Sequence, residues 1–315
     1  MNAGPPTIAA GTPVLVTGSS GFLGFPVAER LAAHGCRVIG IDPVAPREEG
    51  IVFSTLVTSL DDMQTIVDVL HAHHVEIVIH AGAVSGPMLS RDDPFHVART
   101  NVVGTINLVE AARRAAVRRF VYCSSAAALG DTPPGIVPET SPLRPKDFYG
   151  ATKGACELML RGYREQYAVD AVSLRIANAY GPRRRTRCAI RTMLEDALAG
   201  RPTRMTWGRG YHRPYLYVDD AVDGILCAAA APSVPQHAYN LAGAEFPSMD
   251  EIATLVRELV PNADIELGEG NDALAYDRGP LDLTAAERDL GFRPSTTMRD
   301  GIAAYAAWMQ SQVAA

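Results

Sequence analysis

Tyr149 and Lys153, in the run Tyr149-Gly150-Ala151-Thr152-Lys153, are four residues apart, so on a helix the phenol and the ammonium share one face. A free tyrosine titrates near pH ~10, too high for a base at neutral pH, and a neighbouring positive charge favours the phenolate. A drop of about three units would represent roughly 4 kcal/mol of differential stabilisation and make the phenol a usable general acid and base. Tyr and Lys at this spacing also arise in ordinary surface helices. Other groups give the pair its weight. Ser124 and Ser125 end the strand-like run Arg119-Phe120-Val121-Tyr122-Cys123, and ligands of open α/β sheets bind outside the carboxyl ends of strands.

A second constellation points to a dinucleotide. Gly18, Gly21 and Gly24 sit three apart in TGSSGFLG, directly after the apolar Val14-Leu15-Val16. The first glycine permits a tight turn, the second lets a diphosphate approach the backbone, and the third lets helix and strand pack closely. Free N–H groups at the helix start then face the anion. Pro26 is tolerated in that first turn, where its missing N–H is not needed. Asp42 lies 18 residues beyond Gly24, at the end of the next strand, placed to accept hydrogen bonds from ribose hydroxyls. The same carboxylate repels a 2′-phosphate, which favours NAD over NADP, with Arg47 nearby as an opposing charge.

The elements that must position these groups follow a strand–helix rhythm. A helix runs to about residue 34, a strand over 37–41, a helix over 61–71, and a strand over 76–79 that enters His80-Ala81-Gly82-Ala83. His80 reads as a packed histidine at a strand end, and the small residues after it suit a cofactor lying against the backbone. Residues 85–94 form a loop, with Ser85 and Met88 turned to a substrate. One long helix covers 94–116, and a Pro-rich loop over 132–145 walls the site before the helix that starts near residue 148. This βαβ pattern implies an α/β protein on a parallel sheet.

After a strand over 171–176 the pattern changes. Arg183-Arg184-Arg185-Thr186-Arg187 opens a helix to about residue 199, with Arg191 one turn beyond Arg187 and Arg213 on a later strand. Guanidinium forks fit phosphate or carboxylate oxygens, and positive charge opposes the dipole at a helix start, so the cluster reads as facing an anionic substrate. A solvated helix start is the alternative. Ser248-Met249-Asp250-Glu251 is a capping box for a helix to 260, followed by a strand over 264–267 and a last helix from about 297. Residues 1–178 therefore read as the nucleotide-binding domain, with 1–12 a loose tail. Residues 179–315 read as mostly a smaller substrate-binding domain, with segments returning to the sheet.

Composition narrows the function classes. At 315 residues, 47% apolar and 20% charged, the chain can build a sizeable core, and its net charge of −6 argues against nucleic acid as a partner. Five cysteines without CxxC spacing read as reduced thiols of a cytoplasmic protein with no metal site. The N-terminus has no basic stretch and apolar core of a secretory signal, and no run of 18 uncharged apolar residues spans a membrane.

Taken together, TGSSGFLG, Asp42, HAGA, NVVGT, YCSSAAALG, YGATK, LRIANAYGP, RPYLYVDD and DLTAAERDLGFRP resemble the extended short-chain dehydrogenase/reductase family, in its nucleotide-sugar epimerase/dehydratase branch. They occur in the family's order over almost the whole chain. The resemblance implies a Rossmann-type doubly wound sheet with a smaller C-terminal substrate domain, NAD as cofactor, and a homodimer formed through the helices near 94–116 and 148–167. It implies a catalytic Ser125, Tyr149 and Lys153, with Ser125 preferred to Ser124 because it lies five residues before Gly130. The cofactor site it implies comprises Gly18, Ser20, Gly21, Phe22, Leu23, Gly24, Asp42, Ser59, Leu60, Ala81, Gly82, Ala83 and Asn101, together with Tyr149 and Lys153. The substrate site it implies holds Ser85, Ser125, Asn178, Arg187 and Arg213, with Asn178 and Arg213 on a diphosphate.

Departures from the family pattern carry information. Dehydratases of the branch carry an Asp-Glu pair directly after the active residue, and decarboxylases a Glu two residues after it; here those places are Ala126 and Ala127. Leu129 replaces a usual tyrosine, Ser59 a usual acid, and Arg278 is the nearby candidate for a late diphosphate-binding arginine. The expected activity is NAD-dependent epimerisation of a nucleotide sugar by transient oxidation at a hydroxyl, in the manner of a 4-epimerase. A simple NAD-dependent dehydrogenase or reductase of a sugar, sugar acid or amino alcohol uses the same three residues. A non-enzymatic binding protein on this fold would have no need to keep them together.

Overall fold

The computed structural model describes residues 7–48, 50–86, 92–271 and 276–314. In chain order its strands are β1 (Pro13–Thr17), β2 (Arg37–Asp42), β3 (Ser54–Val57), β4 (Ile77–His80), β5 (Arg119–Ser125), β6 (Ala171–Ile176), β7 (Asn178–Tyr180), β8 (Thr203–Arg209), β9 (Tyr215–Tyr217), β10 (Ala238–Leu241) and β11 (Ile265–Glu269). The helices are α1 (Gly24–Ala33), α2 (Met63–Ala72), α3 (Pro94–Ala98), α4 (Gly104–Arg114), α5 (Phe148–Tyr167), α6 (Ala189–Leu198), α7 (Val218–Ala230), α8 (Met249–Leu259), α9 (Thr284–Leu290) and α10 (Met298–Ala314).

Seven strands form one sheet in the order β10-β6-β5-β4-β1-β2-β3, each pairing parallel. Strands β1, β4 and β6 are buried at every position, as a sheet covered on both faces requires. The period-two alternation of strand side chains sorts the core: Val14 and Val16 pack with Val27, Leu31, Val222 and Ile225 on one face. Leu15, between them, packs with Ile66, Leu70, Leu108 and Leu160 on the other. This is the Rossmann-like α/β sheet. The strand order reverses between β1 and β4, which opens a crevice at their carboxyl ends. A separate core, around Ile190, Met193, Ile252, Val256, Ile302 and Tyr305, joins α6, α8 and α10 in the C-terminal part, beside the parallel pairs β8–β11 and β7–β9.

Several expectations need correction. The stretch read as one helix over 94–116 contains a π-helical turn, Arg99–Val103, between α3 and α4. The wider turn leaves the Asn101 carbonyl to side chains, accepting from Thr105 Oγ1 at 2.5 Å and from Cys156 Sγ at 3.2 Å. Residues 183–187 do not open a helix: Gly181 (φ 130°) and Arg183 (φ 71°) have left-handed backbone that α-helix cannot continue, and α6 starts at Ala189. Within the stretch read as a loose tail, Gly11 N–H donates to the Gly35 carbonyl at 2.8 Å and Ile8 packs on the core. The residues before Thr7, and Met88, lie outside the described residues. Among the described residues no helix is long and apolar enough to cross a membrane.

Candidate active site

The glycine-rich turn is built by close approach. Gly18 is left-handed (φ 69°), and a Cβ there would lie 2.7 Å from the Gly82 nitrogen, so the ends of β1 and β4 almost touch. A Cβ at Gly24 would lie 2.0 Å from the Gly18 carbonyl oxygen, so α1 begins against its own turn. No side chain caps α1 among the described residues, which leaves first-turn N–H groups for an anion. Ser20, Gly21, Phe22 and Leu23 line the cleft, as do Ala81, Ala83 and Ser85, while Gly18, Gly24 and Gly82 do not. Asp42 braces the turn: Oδ2 accepts from Ser20 N–H at 3.1 Å and Oδ1 from Val44 N–H at 2.9 Å. A carboxylate has about four lone-pair sites, so capacity remains for ribose hydroxyls. The cradle therefore fits a dinucleotide diphosphate.

Asn101, Ser59 and Leu60, like Asp42, do not line the cleft. Asn101 is buried and spends its amide on positioning: Oδ1 accepts from Val84 N–H at 2.8 Å, and Nδ2 donates to the Val84 carbonyl and Thr152 Oγ1, each at 3.1 Å. It ties the loop after β4 to α5. Ser59 is exposed, its hydroxyl accepting from Asp61 N–H at 3.3 Å, and Leu60 is turned to the hydrophobic core. His80 is packed, as expected: Nδ1 is 2.6 Å from Thr17 Oγ1 and Nε2 is 2.9 Å from Thr105 Oγ1. The Thr105 hydroxyl is committed to the Asn101 carbonyl, so Nε2 carries the proton. Burial, with Lys153 adding to it, lowers the His80 pKa to about 3, so the ring is neutral.

At the crevice, β5 and α5 bring the chemistry-bearing residues to one wall. Ser125, Tyr149 and Lys153 line the same cleft. Ser125 Oγ accepts from Ala127 N–H at 3.1 Å and caps the short 3-10 turn Ala126–Leu129. Asp147 caps α5 through Gly150 N–H at 2.7 Å, which fixes where Tyr149 and Lys153 emerge. Lys153 Nζ donates to the Cys123 carbonyl at 2.7 Å and lies 4.7 Å from the Tyr122 ring centroid and 5.9 Å from that of Tyr149. The Ser124 hydroxyl is taken by buried Glu157, whose other oxygen accepts from Arg175 Nε at 2.9 Å.

The cleft is also rich in arginine. Arg183, Arg184, Arg185, Arg191, Arg213 and Arg278 line the cleft, of about 840 Å³, with Glu48 opposite them. Asn178 lines it too, its Nδ2 donating to the Pro214 carbonyl at 3.0 Å. Arg278 is buried, donates to the Gly130 carbonyl at 2.9 Å, and is lowered by burial to about 10. Arg187, expected on the substrate, is exposed and outside the cleft. Arg184 bonds back to the Ala179 carbonyl and Arg191 to the Arg184 carbonyl, so these two close the wall and leave Arg187 on the solvent side. Sequence reading did not find Glu48, Tyr276 or Trp308, which also line the cleft. No periodicity or local motif marks them, because separate loops and α10 deliver them.

Residues 14–242 match the NAD dependent epimerase/dehydratase family. The chain belongs to that family. A UDP-glucose 4-epimerase of Mycolicibacterium smegmatis is 32% identical over 92% of this chain and 96% of its own length. A crystal structure of Thermotoga maritima UDP-glucose 4-epimerase with UDP-glucose superposes with TM-score 0.88 at 26% identity, covering 96% of this chain and 100% of that one. The Thermus thermophilus UDP-glucose 4-epimerase in complex with NAD gives 0.85 at 28% identity, over 95% and 99%. As a member of the epimerase/dehydratase family the protein is an NAD-dependent enzyme.

Proposed function

We propose that the protein epimerises a nucleotide sugar by transient oxidation at one sugar hydroxyl, most simply the 4-hydroxyl, with Ser125, Tyr149 and Lys153 as its catalytic residues. The observation that carries this reading is a single cleft lined by those three residues, by the glycine-rich turn and by six arginines. NAD, when bound, supplies reversible hydride acceptance at the carbon bearing that hydroxyl. Ser125 holds the substrate oxygen. The Tyr149 phenol oxygen takes the proton as the hydroxyl is oxidised and returns it on reduction. Lys153, anchored to the Cys123 carbonyl, holds the nicotinamide ribose and presents its charge to Tyr149. Asn178, Arg213 and Arg278 receive the diphosphate of the sugar nucleotide. Ala126 and Ala127, directly after Ser125, carry no carboxylate of the kind that expulsion of water would use.

Denaturing the purified protein should release NAD, and the native enzyme should interconvert epimers in a panel of UDP- and dTDP-sugars without consuming added NAD. Net, stoichiometric reduction of added NAD would instead support the dehydrogenase reading. Tyr149→Phe should keep its NAD and lose turnover by roughly 100-fold or more, the scale of a lost general acid/base. Near-normal turnover in that variant would remove Tyr149 from the mechanism.

A further inference from the structure

Arg183 is unusual in three independent ways. Its backbone is left-handed (φ 71°), which a non-glycine residue adopts only where its surroundings impose it. Its guanidinium carbon lies 3.6 Å from the Phe25 ring centroid, over the first turn of α1. Its Nε is buried without a partner among the described residues. The remaining end of the fork meets Glu48: Nη2 lies 2.7 Å from Oε1.

The two partners come from opposite lips of the cleft. Glu48 belongs to the segment that leaves β2 after Asp42, on the nucleotide side. Arg183 follows β7, where the chain turns into the C-terminal part. Both line the cleft beside Ser20, Gly21 and Phe22 of the glycine-rich turn. The ion pair therefore crosses the groove above the place where the cofactor diphosphate fits. Both side chains are partly exposed, 22% for Arg183 and 29% for Glu48, and pairs of that exposure add little to global stability. Fold stability alone thus gives no reason to hold a strained, stacked arginine here.

We propose that Glu48 and Arg183 form a clasp across the cofactor groove that sets how slowly the dinucleotide leaves. The inference rests on the assignment of NAD to the glycine cradle. They act as positioning residues: neither is assigned to the reacting atoms. Phe25 packs against the guanidinium over α1, so the arginine is already in place when Glu48 meets it. An enzyme that returns its hydride every cycle gains from retaining its cofactor, and a tie from one lip to the other supplies that retention without entering the catalytic wall.

The test is the release rate of preloaded NADH, followed by loss of its bound fluorescence after excess NAD is added. Glu48→Gln and Arg183→Gln should each release it faster, by about five-fold or more, at unchanged melting temperature. The charge-reversed double variant Glu48→Arg/Arg183→Glu should return to within about two-fold of wild type, which a purely structural role would not produce. Wild-type release in either single variant, or no recovery in the double variant, overturns the clasp. Slower release in Glu48→Gln overturns it too, because it would make Arg183 a direct diphosphate ligand for which Glu48 competes. If the wild-type protein binds no NADH at all, the cofactor assignment falls along with the clasp; binding with unchanged release removes the clasp alone.

Discussion

The Ser124 hydroxyl is committed to Glu157 beneath the sheet end, whereas the Ser125 hydroxyl stands at the cleft, so the two neighbours should fail differently when replaced by alanine. Ser125→Ala should lower kcat by roughly 10-fold to 100-fold with little change in melting temperature, the scale of a lost contact to a reacting oxygen. Ser124→Ala leaves a buried carboxylate oxygen short of a donor and should cost about 1–3 kcal/mol of stability, read by urea unfolding. The reverse pattern would exchange their roles. Arg213→Ala should raise KM for a nucleotide sugar about tenfold, equal to about 1.4 kcal/mol, and leave NAD affinity intact; an unchanged KM would mean the substrate is not held by its charge at that position. The sequence marked the arginine run but could not say which guanidinium lines the cleft. That choice follows from Gly181 and Arg183 backbone angles and from carbonyl partners such as Ala179, none of which has a local signature.

Elements with a strong period were readable: the glycine turn feeding α1, the strand ending at Asp42, and α5 with its Tyr149/Lys153 face. The π turn was not, because no residue type marks the one-residue insertion it makes between two short helical segments. Its effect is to bring Asn101 against Val84 and Thr152, and Thr105 against His80. Thr17, His80, Thr105 and Asn101 thus thread β1, β4 and the helix after it with buried hydrogen bonds. The thread needs neutral imidazole, and the His80 pKa of about 3 lies far below the ordinary 6.5. Between those values the unfolded chain binds the extra proton, so stability is full above about pH 6.5 and falls as pH drops, by up to about 1.4 kcal/mol per unit. Glu139 and Asp147, raised by burial, pull the other way at lower pH. Urea midpoints between about pH 7 and 5 should therefore slope more steeply in wild type than in His80→Gln; equal slopes would mean the ring is not held neutral.

Of the ten exposed large apolar side chains among the described residues, five lie on α3, the π turn after it and α5. Phe95, Val103, Phe148, Leu158 and Tyr167 lie there, with exposures from 43% to 76%. A surface of that kind suits a symmetric helix bundle between two copies. Light scattering at micromolar concentration should give twice the chain mass, and Leu158→Lys should shift it toward monomer; a monomeric wild type would remove the dimer. The least legible feature was long-range connection. Four residues, Ala238–Leu241, are too short to announce a strand, yet β10 completes the sheet beside β6. Arg119, fully buried in β5, depends on carbonyls of Ala228 and Ala231 at 2.6 and 3.1 Å, far along the chain. This interleaving has a consequence for synthesis. While the chain emerges from the ribosome, the Arg119 guanidinium lacks its carbonyl partners until Ala231 has been made, and β6 remains an open edge until Leu241 has followed. The nucleotide-binding half therefore cannot mature ahead of the rest, and a chain stopped at residue 178 should aggregate rather than fold as a smaller version of itself.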